Sequence, residues 1–131
     1  SYAASVVEVV VAEDGTWSVP NAWMTVDCGQ EVNLDRARSQ QEGAAVMGLG
    51  FARFGKLTAK DGAIVQGNFH NARVVPYGLH PQAEVYFVES NRPPSGIGEP
   101  GIPPFAPAIA NAIFAATGKR IREMPIGNKI A

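Results

Sequence analysis

Apolar and polar residues alternate along this chain in two regimes. Val6 to Val11 is β-branched and nearly unbroken, the turn residues Glu13-Asp14-Gly15-Thr16 interrupt it, and apolar positions resume at Trp17 and run to about Asp27. That order predicts a hairpin. Beyond Asn33 or Asp35, either of which can cap, the spacing becomes helical to roughly Phe54, with Ala44, Met47, Gly48 and Phe51 on one stripe. Gly43, Gly48 and Gly50 each cost about 1 kcal/mol relative to alanine inside a helix. Close packing against a backbone or a ligand would explain them, and plain packing of the helix on a sheet serves equally.

The rest of the chain shortens its elements. Lys60-Asp61-Gly62 marks a turn between strand candidates Lys56–Thr58 and Ala63–Val65, a second hairpin. After an irregular stretch from Gly67 to Pro81, Ala83 to Val88 alternates as a strand does and leads into a Ser90–Gly98 loop holding Pro93, Pro94 and Gly96. A helix is predicted from about Phe105 to Thr117, with Phe105, Ile109, Ile113 and Ala116 on one face and Gly118 as its stop. Arg120 to Ile126 reads as a last short strand, and Gly127-Asn128-Lys129 as a frayed tail. With no internal repeat or linker, residues 1–131 are expected to form a single α+β domain of two layers, a mostly antiparallel sheet with helices packed on it.

Composition narrows the function. A chain of 131 residues, 46% hydrophobic and 18% charged, suffices for one core. A net charge of −1 offers no footprint for nucleic acid or an anionic membrane. Lys119-Arg120-Ile121-Arg122 is the one basic cluster, and its place after a helix end suits the helix dipole and the terminal carbonyls better than a phosphate. No apolar run approaches the ~20 residues of a membrane helix, and the first residues show no signal-like pattern; neither membrane insertion nor nucleic acid is expected. The compartment, cytoplasm or periplasm, stays open. Cys28 is the sole cysteine, which excludes an intrachain disulfide or a four-thiolate iron–sulfur cluster from this chain alone. Its place at the end of an apolar strand suits a small buried thiol. His70 and His80 lack the companions of a zinc site.

The most distinctive stretch is Gly98-Glu99-Pro100-Gly101-Ile102-Pro103-Pro104-Phe105, which sets one acid on a stiffened loop before an Ala-rich helix. Pro100 biases Glu99 away from helical geometry, while Gly98 and Gly101 leave room for close backbone approach. A carboxylate so placed suits a general base; a solvated turn glutamate is the plainer reading of the same residues. This loop with Pro103 through Ile113, together with Val26-Asp27-Cys28-Gly29, Val32-Asn33 and Gln40-Gln41-Glu42-Gly43-Ala44 through Gly48-Leu49-Gly50, resembles the C-terminal part of the molybdenum-binding subunit of xanthine oxidase family hydroxylases. The likeness is greatest to subunits of the isoquinoline 1-oxidoreductase and aldehyde dehydrogenase type, and it spans essentially the whole chain.

That resemblance implies an oxidoreductase component. In the family, a molybdenum–pterin cofactor, here of the molybdopterin cytosine dinucleotide kind, hydroxylates an electron-poor carbon of an aldehyde or N-heterocycle with oxygen from water. The matching glutamate is the general base, so the catalytic role is expected of Glu99. Gln40, in the family's Gln-x-Glu-Gly register, is expected to hydrogen-bond the cofactor through its amide, and Gly98 of the glutamate loop is expected to contact the cofactor too; Gln41 then occupies the variable slot and Glu42 stabilises the helix locally. No metal ligand is expected from this chain. Leu34 stands where related subunits usually carry proline. The resemblance further implies that this is a fragment: its partners would be the remainder of the molybdenum subunit and a small iron–sulfur subunit, and the chain alone is expected to fold without cofactor and to be inactive. The competing expectation is a non-catalytic domain of the same fold acting in assembly or binding, since ancestry is not activity.

Overall fold

The computed structural model describes residues 1–130. Its central sheet has three strands in the order β1 (Tyr2–Val7), β4 (Asn21–Asp27), β7 (Gln82–Phe87). β1 runs antiparallel to β4, with Tyr2 opposite Asp27 and Val7 opposite Ala22. β4 and β7 are parallel, Asn21 opposite Gln82 and Val26 opposite Phe87. The long connection between those two strands contains helix α1 (Leu34–Phe54), as a parallel crossover requires. Two antiparallel pairs of two-residue strands complete the β structure: β2 (Val10–Val11) with β3 (Trp17–Ser18), and β5 (Ala59–Lys60) with β6 (Ala63–Ile64). Helix α2 (Ile102–Thr117) packs on α1 and β1, and the α+β expectation is met.

Alternation along β4 sets the two faces of the sheet. Ala22, Met24 and Val26 are buried, while Trp23 points outward. Over the inner face, Phe105, Ile109 and Ile113 of α2 lie fully buried against Met24 and Leu49. The helices approach closely because residue 48 is glycine: a Cβ there would lie 2.6 Å from that of Phe105. Close packing therefore accounts for Gly48. At Gly43 an added Cβ would meet nothing among the described residues.

Several sequence expectations need correction. Of the α1 stripe, Ala44 and Gly48 are buried, but Met47 and Phe51 are 53% and 51% exposed; Ala45, Leu49 and Ala52 take their places, so the buried stripe is rotated about the axis. Ala116 is likewise exposed, because α2 runs past its support in the last turn. α2 begins at Ile102, three residues early, since Pro103 and Pro104 occupy the first turn, where no backbone N–H is needed. The first hairpin is broken at Glu8–Val9 and Val19–Pro20, Pro20 having no N–H to give a ladder. The second hairpin sits nearer its turn than expected, closed by Asp61 and Gly62, both with positive φ.

Residues 120–126 form no strand. They run irregularly across the C-terminal end of α1, where Ile126 N–H donates to the Ala52 carbonyl at 2.7 Å. Nor is the tail frayed: Lys129 bridges to Thr16, Ile130 N–H donates to the Gly15 carbonyl at 2.9 Å, and Ile130 is buried. Arg120 folds back on α2, donating to Asn111 Oδ1 at 3.0 Å with its guanidinium over the Phe114 ring. No helix among the described residues is long and apolar enough to cross a membrane.

Candidate active site

Helix α1 starts at a cap of known chemistry. Asn33 is extended, and its Oδ1 accepts from Arg36 N–H at 3.0 Å, which decides between the two cap candidates. Nearly two turns on come the consecutive glutamines. Residues i and i+1 project about 100° apart around a helix, so the pair divides: Gln40 is exposed on the rim and Gln41 is 1% exposed in the core.

Above this end of α1 runs the connection from β7 to α2, residues 88–101. It is laid down by specific bonds. Gln30 N–H donates to the Arg92 carbonyl at 2.9 Å, and Ser95 donates to the Cys28 carbonyl from both N–H, at 2.7 Å, and Oγ, at 3.0 Å. Gly29, at φ +77°, allows the crossing: a Cβ there would sit 2.9 Å from the Arg92 carbonyl oxygen and closer still to that of Pro93. The Arg92 guanidinium pairs with the Asp27 carboxylate. Asp27 is held below the usual carboxylate range first by the Gly29 N–H and then by Arg92.

The connection then descends onto α1. Gln41 Nε2 donates to the Ile97 carbonyl at 3.1 Å. A Cβ on Gly98 would stand 3.6 Å from Gln40 Nε2, so the Gln40 amide and the Gly98 backbone are neighbours. Glu99 follows, exposed, its carboxylate without a hydrogen-bond partner among the described residues. Its carbonyl accepts from Ile102 N–H at 3.0 Å, closing the turn into α2. Beneath lies a cavity of ≈ 230 Å³ lined by Cys28, Glu31, Arg36, Gln40, Ser95 and Ile97 among others.

Of the three residues singled out in the sequence, Gln40 and Gly98 are thus neighbours, and Glu99 is the exposed residue that follows Gly98. Cys28 is buried, and desolvation pushes its thiol pKa up, as a packing role expects. His70 and His80 lie elsewhere, His80 with its ring edge-on to Tyr77. Among the described residues no group of three or more His, Cys, Asp or Glu could hold a metal ion. Sequence reasoning passed over Gln41 and the Asp27–Arg92 pair. A polar residue in phase with Ala37, Ala44 and Ala45 was the available signal for Gln41; nothing local could pair residues 65 positions apart.

A family model described as the molybdopterin cofactor-binding domain matches residues 1–78. The beta subunit of isoquinoline 1-oxidoreductase from Brevundimonas diminuta is 30% identical over 118 residues, 90% of this chain and 15% of that protein. The aldehyde oxidoreductase molybdenum-binding subunit of Escherichia coli is 37% identical over 75% of this chain and 14% of its own length. A Gluconacetobacter polyoxogenes membrane-bound aldehyde dehydrogenase, named for pyrroloquinoline quinone, is 39% identical over 77% of this chain and 13% of its own. In structure, the Desulfovibrio gigas aldehyde oxidoreductase superposes with a TM-score of 0.67 at 27% identity, over 88% of this chain and 13% of that one. Quinoline 2-oxidoreductase of Pseudomonas putida gives 0.72 at 21% identity over 89% and 16%, a likeness of fold. The chain therefore spans about one-seventh of these relatives.

Proposed function

This chain belongs to the molybdopterin cofactor-binding domains of the xanthine oxidase family, and from that premise we propose that it forms part of a molybdenum-dependent hydroxylase in which Glu99 is the general base. The overall reaction replaces a C–H bond of an aldehyde or N-heterocycle by C–OH, with water as the source of oxygen and release of two protons and two electrons. The molybdenum–pterin cofactor, when bound, supplies the oxidising centre; its cytosine dinucleotide form and an iron–sulfur partner as the exit for electrons belong to the same proposal. The quinone in the name of the Gluconacetobacter relative is not carried over, because the matched domain is a molybdopterin one.

The observation that carries the reading is the approach of the Gly98 backbone to the Gln40 amide, one residue before the exposed Glu99. The donor set suits such a cofactor: Gln40 offers an uncharged amide that can donate and accept, Gly98 offers backbone without a side chain, and Glu99 offers a carboxylate with no competing protein partner among the described residues. Gln40 would hydrogen-bond the cofactor, Gly98 would let it approach, and Glu99 would take the proton lost by the attacking water. A base of this kind contributes ~10²–10⁴ in rate. The remainder of the molybdenum subunit is the proposed partner. Exposed apolar side chains support that, among them Val6, Trp23 and Tyr86 on the outer sheet face and Met47 and Phe51 on α1.

The decisive experiment is Glu99→Gln in the complete, cofactor-loaded enzyme. Anaerobic single-turnover reduction by an aldehyde or N-heterocycle should slow by at least ~10²-fold, with molybdenum and pterin contents near normal. Near-wild-type reduction by the loaded variant removes Glu99 from the mechanism. A second check concerns the fragment. The isolated chain should fold yet hold no stoichiometric molybdenum, because so few contacts cannot offset the cost of immobilising a large cofactor; one molybdenum per chain in metal analysis would contradict this.

A further inference from the structure

Gln41 has no business in an apolar core unless it holds something. It lies 1% exposed beside Met24 and Ala44, where a valine or leucine would pack without polar atoms to satisfy. Its Nε2 is used, donating to the Ile97 carbonyl at 3.1 Å, while its Oε1 is buried with no hydrogen-bond partner. The amide is thus retained at a cost, for one bond to the loop that carries Glu99.

Gly101 secures the other side of that loop. A Cβ at this position would lie 2.9 Å from both Ala44 Cβ and Met24 Cε, and closer still to Gln41 Oε1. Only glycine lets the start of α2 rest on Gln41. Ile97 and Gly101 each stand two residues from Glu99, and the Ile102 N–H to Glu99 carbonyl bond closes the turn on the Gly101 side.

We propose that Gln41 is a positioning residue: by tying the Ile97 carbonyl and seating Gly101, it fixes the backbone on both sides of Glu99 and so the direction in which that carboxylate is presented. The proposal rests on the reading of Glu99 as the base. It gives the two adjacent glutamines separate tasks, Gln40 toward the cofactor and Gln41 toward the loop that carries the base.

The test is Gln41→Met, which keeps the volume and removes the donor, in the complete enzyme. Two readings are taken: amide hydrogen exchange over residues 97–102, which needs neither turnover nor full cofactor loading, and single-turnover reduction of the loaded fraction against substrate concentration. Exchange over this span should accelerate. The limiting reduction rate should fall at least ~10-fold, as misorientation of a base does, with substrate Kd within about twofold of wild type. Unchanged exchange overturns the tether. Faster exchange with an unchanged limiting rate overturns the positioning role and leaves Gln41 merely structural. Glu99→Gln run alongside separates the two ideas: if it reduces at the wild-type rate, the base reading fails and positioning fails with it; if it is inactive while Gln41→Met behaves as wild type in both readings, the base stands and Gln41 alone is wrong.

Discussion

In the N-terminal half of helix α1, Gln41 donates to the carbonyl of Ile97; at its C-terminal end, Arg53 donates to the carbonyl of Trp17. Each is a buried polar side chain of α1 holding a carbonyl of a distant segment, the irregular loop at Ile97 or the two-residue strand β3 at Trp17, and each leaves one atom unpartnered, Oε1 of Gln41 and Nε of Arg53. Their surroundings differ. The Arg53 guanidinium lies over the Trp17 ring, Trp17 Nε1 donates to the Gly127 carbonyl at 3.0 Å, and Gly127 N–H returns to the Arg53 carbonyl at 3.2 Å. That circuit closes on itself, and the guanidinium pKa is lowered chiefly by burial. The Gln41 end closes on one side only and leaves Gln40 and Glu99 exposed. On the proposed reading of Glu99, the same bond type would serve stability at one end and presentation of the base at the other.

The comparison predicts that rate and stability separate by end. The largest effect belongs to Glu99→Gln, whose loss of at least ~10²-fold in reduction rate should come with a stability change under ~0.5 kcal/mol, the usual scale for an exposed substitution. A fall in melting temperature as large as that of an Arg53 variant would break the distinction. Arg53→Met should do the reverse. Leaving the Trp17 carbonyl unpaired costs ~1–3 kcal/mol and losing the ring contact ~0.5–2 more, so a total of roughly 1.5–5 kcal/mol is expected from urea unfolding. The reduction rate of the surviving folded enzyme should stay within about twofold.

How far the sequence revealed these ends follows from the kind of signal each carries. The helices, the strand at residues 83–88 and the Gly98–Gly101 loop were legible because periodicity and Gly/Pro chemistry are local. Gln40 was singled out through its resemblance in register, and the structure leaves it exposed beside the Gly98 backbone. Gln41 was not, because the residue that needs it, Ile97, lies 56 positions away. The stripe through Met47 and Phe51 misled for a different reason: those side chains are apolar and exposed, as expected of a surface that covers or is covered by another part of a larger protein. The segment after Gly118 was misread as strand and tail because its partners are single carbonyls of α1 and Gly15 instead of a ladder.

A sharper version of the comparison uses the neighbouring glutamines. Gln40→Ala removes an exposed helix residue, so stability should change by under ~0.5 kcal/mol and helix propensity should improve. Loss of one hydrogen bond to the cofactor is worth about 1 kcal/mol, so turnover should drop about five- to tenfold, with amide exchange over residues 97–102 unchanged. If exchange in that span rises as it should for Gln41→Met, the two side chains share one structural task and the division between rim and core fails.

The smallest expected effect is that of pH on the outer part of the loop. Asp27 is held ionised by the Gly29 N–H and the Arg92 guanidinium, so its pKa is lower folded than unfolded. A group shifted in this direction binds its proton less readily in the folded state; its contribution is complete above the unfolded carboxylate pKa of ~3.9 and is lost as pH falls through the lower folded value. Hydrogen exchange of Gln30 and Ser95, whose N–H groups bond to the Arg92 and Cys28 carbonyls, should therefore show its full extra protection relative to Asp27→Asn above about pH 4 and lose it as pH falls further. The difference should be slight, since the pair is partly open to solvent and screened. Equal protection in wild type and Asp27→Asn at neutral pH would mean that the Gly29 crossing and the Gln30 and Ser95 bonds hold the outer loop without the Asp27–Arg92 pair, leaving Gln41 as the α1 side chain on which the proposed placement of Glu99 rests.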